Sequence, residues 1–84
     1  MRQGDILLVK IDKLPENIQE SRDRVLAYGE VTGHTHRFSN PQVLVFEDSQ
    51  KNKFVELEQE EQLIHEEHET INVQKGIYKV IQQR

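Results

Sequence analysis

The amino-acid sequence predicts an all-β fold: a small barrel or sandwich of six to seven short, mainly antiparallel strands, with residues 1–84 forming a single domain. Three features point there. Apolar residues fall in short runs such as 6–9 and 43–46, strand-sized rather than helix-sized. Turn-forming residues interrupt those runs at close intervals, at Pro15, Gly33, Pro41 and Gly76. The segment richest in helix formers, 58–70, offers no apolar stripe that a helix would bury. Closure into a barrel would also remove the exposed edges that a small sheet otherwise has to protect.

The elements follow in order. GDILLVKI, residues 4–11, is the first strand, apolar on both faces around Ile6 to Val9, which suits a central or barrel strand. Residues 12–23 carry Pro15 and a polar run and read as a loop or a single helical turn. In RVLAYGEVTGHTHRF, residues 24–38, alternation aims Val25, Ala27, Gly29 and Val31 one way. Leu26, Tyr28, Glu30, Thr32, His34 and His36 then face the other way. Gly29 and Gly33 admit a bulge or bend in this stretch. Residues 39–41 form a turn, 42–48 a strand, 49–52 a turn and 53–58 its hairpin partner. A short turn over 58–61 precedes a strand at QLIHEEH, 62–68. Residues 70–73 lead to a turn at 74–76, and GIYKVIQ, 76–82, is the closing strand.

A chain of 84 residues buries a thin core. Domains this small usually need a disulfide, a metal or a partner subunit. With no cysteine, the remaining staples are a metal held by histidine and carboxylate, self-association, or an unusually good core. A homo-oligomer is expected. Absence of cysteine fits a reducing cytosol. No apolar run approaches the ~20 residues that cross a bilayer, and the N-terminus lacks a signal peptide's apolar region. The chain therefore reads as soluble and cytoplasmic. Its formal net charge of −4, from 15 acidic and 11 basic residues, disfavours nucleic acid as a partner. Arg22, Arg24, Lys51 and Lys53 are the candidates for a local basic face, and solvated loop charge is their plainer account.

The four histidines form two close pairs, His34 and His36 in GHTHR and His65 and His68 in LIHEEHE. On a strand, the i, i+2 spacing of the first pair puts both imidazoles on one face. Imidazole nitrogen ligates zinc, iron, nickel and copper, so all four histidines are candidate ligands of a divalent transition metal. On a regular strand, His65 shares a face with Glu67, and His68 with Glu66. All four rings cannot converge from two flat strands, so one must be turned by a bulge or sit in an adjoining turn. Glu66 and Glu67 are candidates to complete the ligand set, to orient a ligand, or to act as a base. Three ligands with an open position would make a catalytic type of site, and four a structural one. Without metal, the same residues would be a pH-sensitive polar cluster or ordinary surface histidines.

Other chemistries have little to stand on. There is no cysteine nucleophile and no GxSxG elbow around Ser21, Ser39 or Ser49. The glycines are scattered rather than gathered in a phosphate-cradling loop. Tyr28, Phe38, Phe46, Phe54 and Tyr78 sit on separate strands, so core packing accounts for them better than a base-stacking platform does.

The ordered set GDILLV, GEVTGHTHR, LIHEEHETI and GIYKVIQQR resembles a group of short uncharacterised bacterial and phage-type proteins. The resemblance spans most of the chain, and its paired-histidine motifs are the most specific part. It implies the site rather than an activity, and a chain that continues past the final QR. HTH with a later histidine and a glycine–aromatic strand also resembles a pared-down cupin, a β-barrel in which such residues hold a metal. That resemblance maps His34 and His36, with His65 or His68, onto the ligands. The glutamate a cupin carries a few residues after its HxH is absent from RFSNPQ. The start GDILLVK with RVLAYGEV is faintly similar to co-chaperonin barrels, which have no need of the histidines. Three functional expectations result: a metal-binding, non-enzymatic accessory protein; a minimal cupin-like metalloenzyme with Glu66 or Glu67 as base; or a metal-free module that binds protein or RNA.

Overall fold

Strand pairing over long sequence distances builds this chain. The computed structural model describes residues 1–28 and 33–83, and among them there are ten strands and no helix. In chain order they are β1 (Arg2–Gln3), β2 (Ile6–Ile11), β3 (Gln19–Glu20), β4 (Val25–Tyr28) and β5 (Thr35–Phe38). There follow β6 (Val45–Glu47), β7 (Lys53–Leu57), β8 (Glu61–Ile64), β9 (Ile71–Val73) and β10 (Gly76–Gln82). Every pairing is antiparallel. A six-stranded sheet runs β1-β2-β10-β7-β6-β3, and a four-stranded sheet runs β4-β5-β8-β9. Among the described residues no ladder joins the two, so the architecture is a sandwich, not a closed barrel.

Alternation explains the core. Ile6 and Leu8 on β2, Val55 and Leu57 on β7, and Tyr78 and Val80 on β10 turn inward from the larger sheet. Leu26, Ala27, Phe38, Leu63 and Val73 meet them from the smaller one. One cluster thus draws on both inner faces, as the thin core of a two-layer β domain must. The edge strands β1, β3, β4 and β9 are no longer than four residues, which limits the unpaired backbone they present.

Several expected boundaries move. The first strand does not begin at Gly4. Gly4 and Asp5 instead form the two-residue turn of a hairpin that pairs Gln3 with Ile6. Gly4 has φ +57, the left-handed entry that glycine supplies at the first position of such a turn. Residues 12–23 are mainly loop, as expected, apart from β3. Within 24–38, β4 and β5 pair antiparallel with each other rather than forming one strand. A register shift between Val25 and Ala27 buries Leu26 and Ala27 together and ends the expected alternation. Gly29, Glu30, Val31 and Thr32, assigned above to faces of that strand, lie outside the described residues. The hairpin over 42–58 holds, shortened to β6 and β7. The strand expected at 62–68 stops at Ile64, so His65 to His68 sit in the connection to β9. No helix among the described residues is long and apolar enough to cross a membrane.

Candidate functional site

His36 is the centre of the site. It lies on β5 opposite Ala27, with 0% of its surface exposed. A buried imidazole needs partners for both nitrogens, and the N-terminal hairpin supplies them. Gln3 Oε1 stands 2.9 Å from His36 Nδ1, and Asp5 Oδ1 stands 2.9 Å from His36 Nε2. The orientation of the Gln3 amide is fixed, because its Nε2 donates to the carbonyls of Leu63 and Glu69, each at 2.9 Å. Its oxygen must therefore accept, so His36 Nδ1 carries a proton. Asp5 is held in turn by Gln82 Nε2, which donates to Oδ2 at 3.0 Å.

The same amide positions the second histidine pair. Leu63 and Glu69 flank the HEEH connection, so Gln3 clamps both sides of it. Glu66 fastens the connection to β5. Its carboxylate accepts the backbone N–H of Thr35 at 2.9 Å and Arg37 Nη1 at 2.9 Å. This contact accounts for the end of β8: the chain leaves the sheet to let Glu66 reach across. The Glu67 amide donates to His65 Nδ1 at 3.1 Å, which tightens the turn.

The four rings are thereby brought together. His65 packs on His36 at 4.3 Å between centroids, on His68 at 4.5 Å and edge-on to His34 at 5.6 Å. His36 and His68 stack at 5.9 Å, 10° from parallel. His68 also leans on Gly4: a Cβ at that residue would stand 2.3 Å from His68 Nε2. Glu67 Oε1 lies 3.6 Å from His34 Nδ1.

Crowding sets the electrostatics. Burial pushes His36 below its ordinary range; Asp5 pulls it back, while charge on His65 or His68 pushes it further down. Burial likewise lowers His65, with His68 the next cause. Partial burial raises Asp5, but hydrogen bonds from Gln82 and His36 outweigh it and leave the carboxyl below its usual value. Glu66 is pulled down to about 2, first by the Thr35 N–H and also by Arg37. A carboxylate so stabilised is a poor proton acceptor, which weakens the expected role of Glu66 as a base.

The expected ligands are therefore gathered, but two of them are already engaged. Both His36 nitrogens have partners, and His65 Nδ1 accepts an amide proton. Among the described residues, no group of three or more histidine or acidic side chains is arranged to hold a metal ion. Sequence reasoning missed Gln3 and Asp5. Their one signal was the Gly4-Asp5 pair before an apolar run, which marks a tight hairpin.

Residues 2–83 match the family described as Domain of unknown function (DUF8820). No curated protein and no solved structure matches the chain.

Proposed function

We propose that this chain, which belongs to the DUF8820 family, is a non-enzymatic accessory protein that takes up a divalent transition metal at the rim of its histidine cluster. The observation that carries this reading is the convergence of four imidazoles within 4.3–5.9 Å between neighbouring centroids. Zinc, iron, nickel and copper all suit such donors. His34, His65 and His68 would be the ligands, with Glu67, 3.6 Å from His34, as a fourth. His36 would remain the buried anchor beneath them.

Magnitudes favour this division. Freeing His65 from the Glu67 amide forfeits a neutral hydrogen bond, a net cost of about 1 kcal/mol. Coordination of a transition metal by imidazole nitrogens would have to return only slightly more than that. Extracting His36 would instead strand the buried Gln3 and Asp5 oxygens, at about 1–3 kcal/mol or more for each. Glu66, held by Thr35 and Arg37, gives the metalloenzyme alternative little support. Self-association and a cytoplasmic setting remain part of this reading.

Untagged protein carries the test. Calorimetric titration with Zn²⁺, Ni²⁺, Cu²⁺ and Fe²⁺ should give one site per chain. His34→Ala and His68→Ala should each abolish tight binding while leaving the fold intact. No saturable binding of any of these ions would overturn the proposal.

A further inference from the structure

We propose that the open cleft beside Tyr28, which none of the four histidines lines, is a site for a mononucleotide. The cleft has a volume of about 520 Å³, within the roughly 300–1,000 Å³ of small-molecule sites. Lys51, Lys53 and Lys79 line it together with Tyr28, and Leu26 and Val80 contribute apolar surface. Among the described residues no acidic side chain lines it, in a chain whose net charge is −4. The three lysines come from separate places: Lys51 from the loop between β6 and β7, Lys53 from β7 and Lys79 from β10.

Lys51 supplies an independent argument. Its φ is +68, a left-handed conformation that suits glycine or asparagine and strains a lysine. The loop holds it there firmly. Asp48 Oδ1 accepts the amides of Gln50 and Asn52, each at 2.9 Å, and Lys51 N donates to Asp48 O at 3.1 Å. Stability alone would favour glycine at this point. A charged side chain held at a strained loop tip, facing a cleft with two further lysines, points to an anion as the reason.

Tyr28 adds the second half of the ligand. It is 56% exposed, and its hydroxyl donates to Asp23 Oδ2 at 2.8 Å, which fixes the ring at the cleft wall. An aromatic face beside ammonium groups matches a base joined to phosphate. Lys53 is already committed: its ammonium donates to Ser21 Oγ at 3.2 Å and Val25 O at 3.1 Å and is neutralised by Asp23 Oδ1 at 3.4 Å. Lys51 and Lys79 are thus the phosphate contacts. The adjoining cleft shares Tyr28, Lys51 and Lys53 but adds three carboxylates, Glu20, Asp23 and Glu47, against one further cation, Arg22, a balance that would repel a continuing backbone. That favours a single nucleotide over a strand.

The test is a two-dimensional ¹H–¹⁵N NMR titration of the full chain at low salt with ADP, inorganic phosphate, adenosine and a short oligonucleotide. ADP should shift the amides of Tyr28, Lys51, Asn52 and Lys79, and should bind more tightly than the other three probes. Lys51→Gly should weaken ADP by about fivefold or more, the effect of losing a charged hydrogen-bond donor, without lowering the melting temperature. Lys79→Gln, which leaves the loop untouched, should weaken ADP similarly. No shift of these amides at millimolar ADP, unchanged affinity in both variants, or tighter binding of the oligonucleotide would overturn the proposal.

Discussion

Replacing Gln3 with leucine tests the network that assembles the histidines. Gln3 is 3% exposed and makes hydrogen bonds of 2.9 Å to Leu63 O, Glu69 O and His36 Nδ1. Leucine keeps the apolar bulk but strands the His36 donor and the Leu63 carbonyl in the interior. Each stranded group costs about 1–3 kcal/mol, so the pair costs about 2–6. Added packing of the leucine offsets about 1 kcal/mol of that, leaving a loss near 3. A domain of this length holds about 4–13 kcal/mol in all, so the loss is a large share of the total. It corresponds to a fall in melting temperature of about 12–24 °C. Urea unfolding followed by far-ultraviolet circular dichroism measures it directly. Amide exchange should also accelerate over residues 65–70, where the clamp is lost. A loss below about 1 kcal/mol, with unchanged exchange in that connection, would show that Gln3 does not hold the site.

Other outcomes follow from the same structure. Gly4→Ala forces a side chain into φ +57 and should cost about 1–2 kcal/mol of stability. It should also displace His68 and weaken metal uptake, whereas Gly4→Ala with His68→Ala should keep the backbone cost alone; thermal melts of the three variants check this. Lys53→Met removes the ammonium that joins β7 to Ser21 and Val25 and should cost about 1–2 kcal/mol in chemical denaturation. In metal-free protein, His36 and His65 are lowered, so the unfolded chain takes up protons below ~6.5 before the folded one does. Stability should be full above that pH and fall as pH drops. A further loss below ~4 should come from Asp5, Asp23 and Glu66, also lowered. A urea midpoint that rose between pH 7 and 5 would mean instead that His36 gains a proton on folding.

The all-β class was legible because alternation and turns are local signals. The hairpin of β6 and β7 was legible for the same reason. The convergence of the histidines was legible only as a condition: one ring had to be turned by a bulge or sit in an adjoining turn, and the connection after β8 takes both His65 and His68. What ends β8 is a tertiary contact, Glu66 reaching Thr35 and Arg37 some thirty residues away in sequence, and periodicity carries no trace of it. Gln3 and Asp5 escaped for a related reason. Their partner is His36, and nothing in a polar residue beside an N-terminal turn announces a buried imidazole. Tyr28 reads as one more core aromatic by type, yet the register shift in β4 leaves it outside.

The place of β10 in the larger sheet bears on how the chain is made. It pairs with β2 on one side and β7 on the other, so the middle of that sheet is supplied by residues 76–82. During synthesis, the N-terminal hairpin must wait for residues 76–82 to leave the ribosome before it gains its neighbour. Such distant pairing places folding in the slow regime of all-β domains, about milliseconds to seconds. Until then β2 and β7 present the backbone edges that β10 will pair, and unpaired edges leave nascent chains most open to aggregation at that stage.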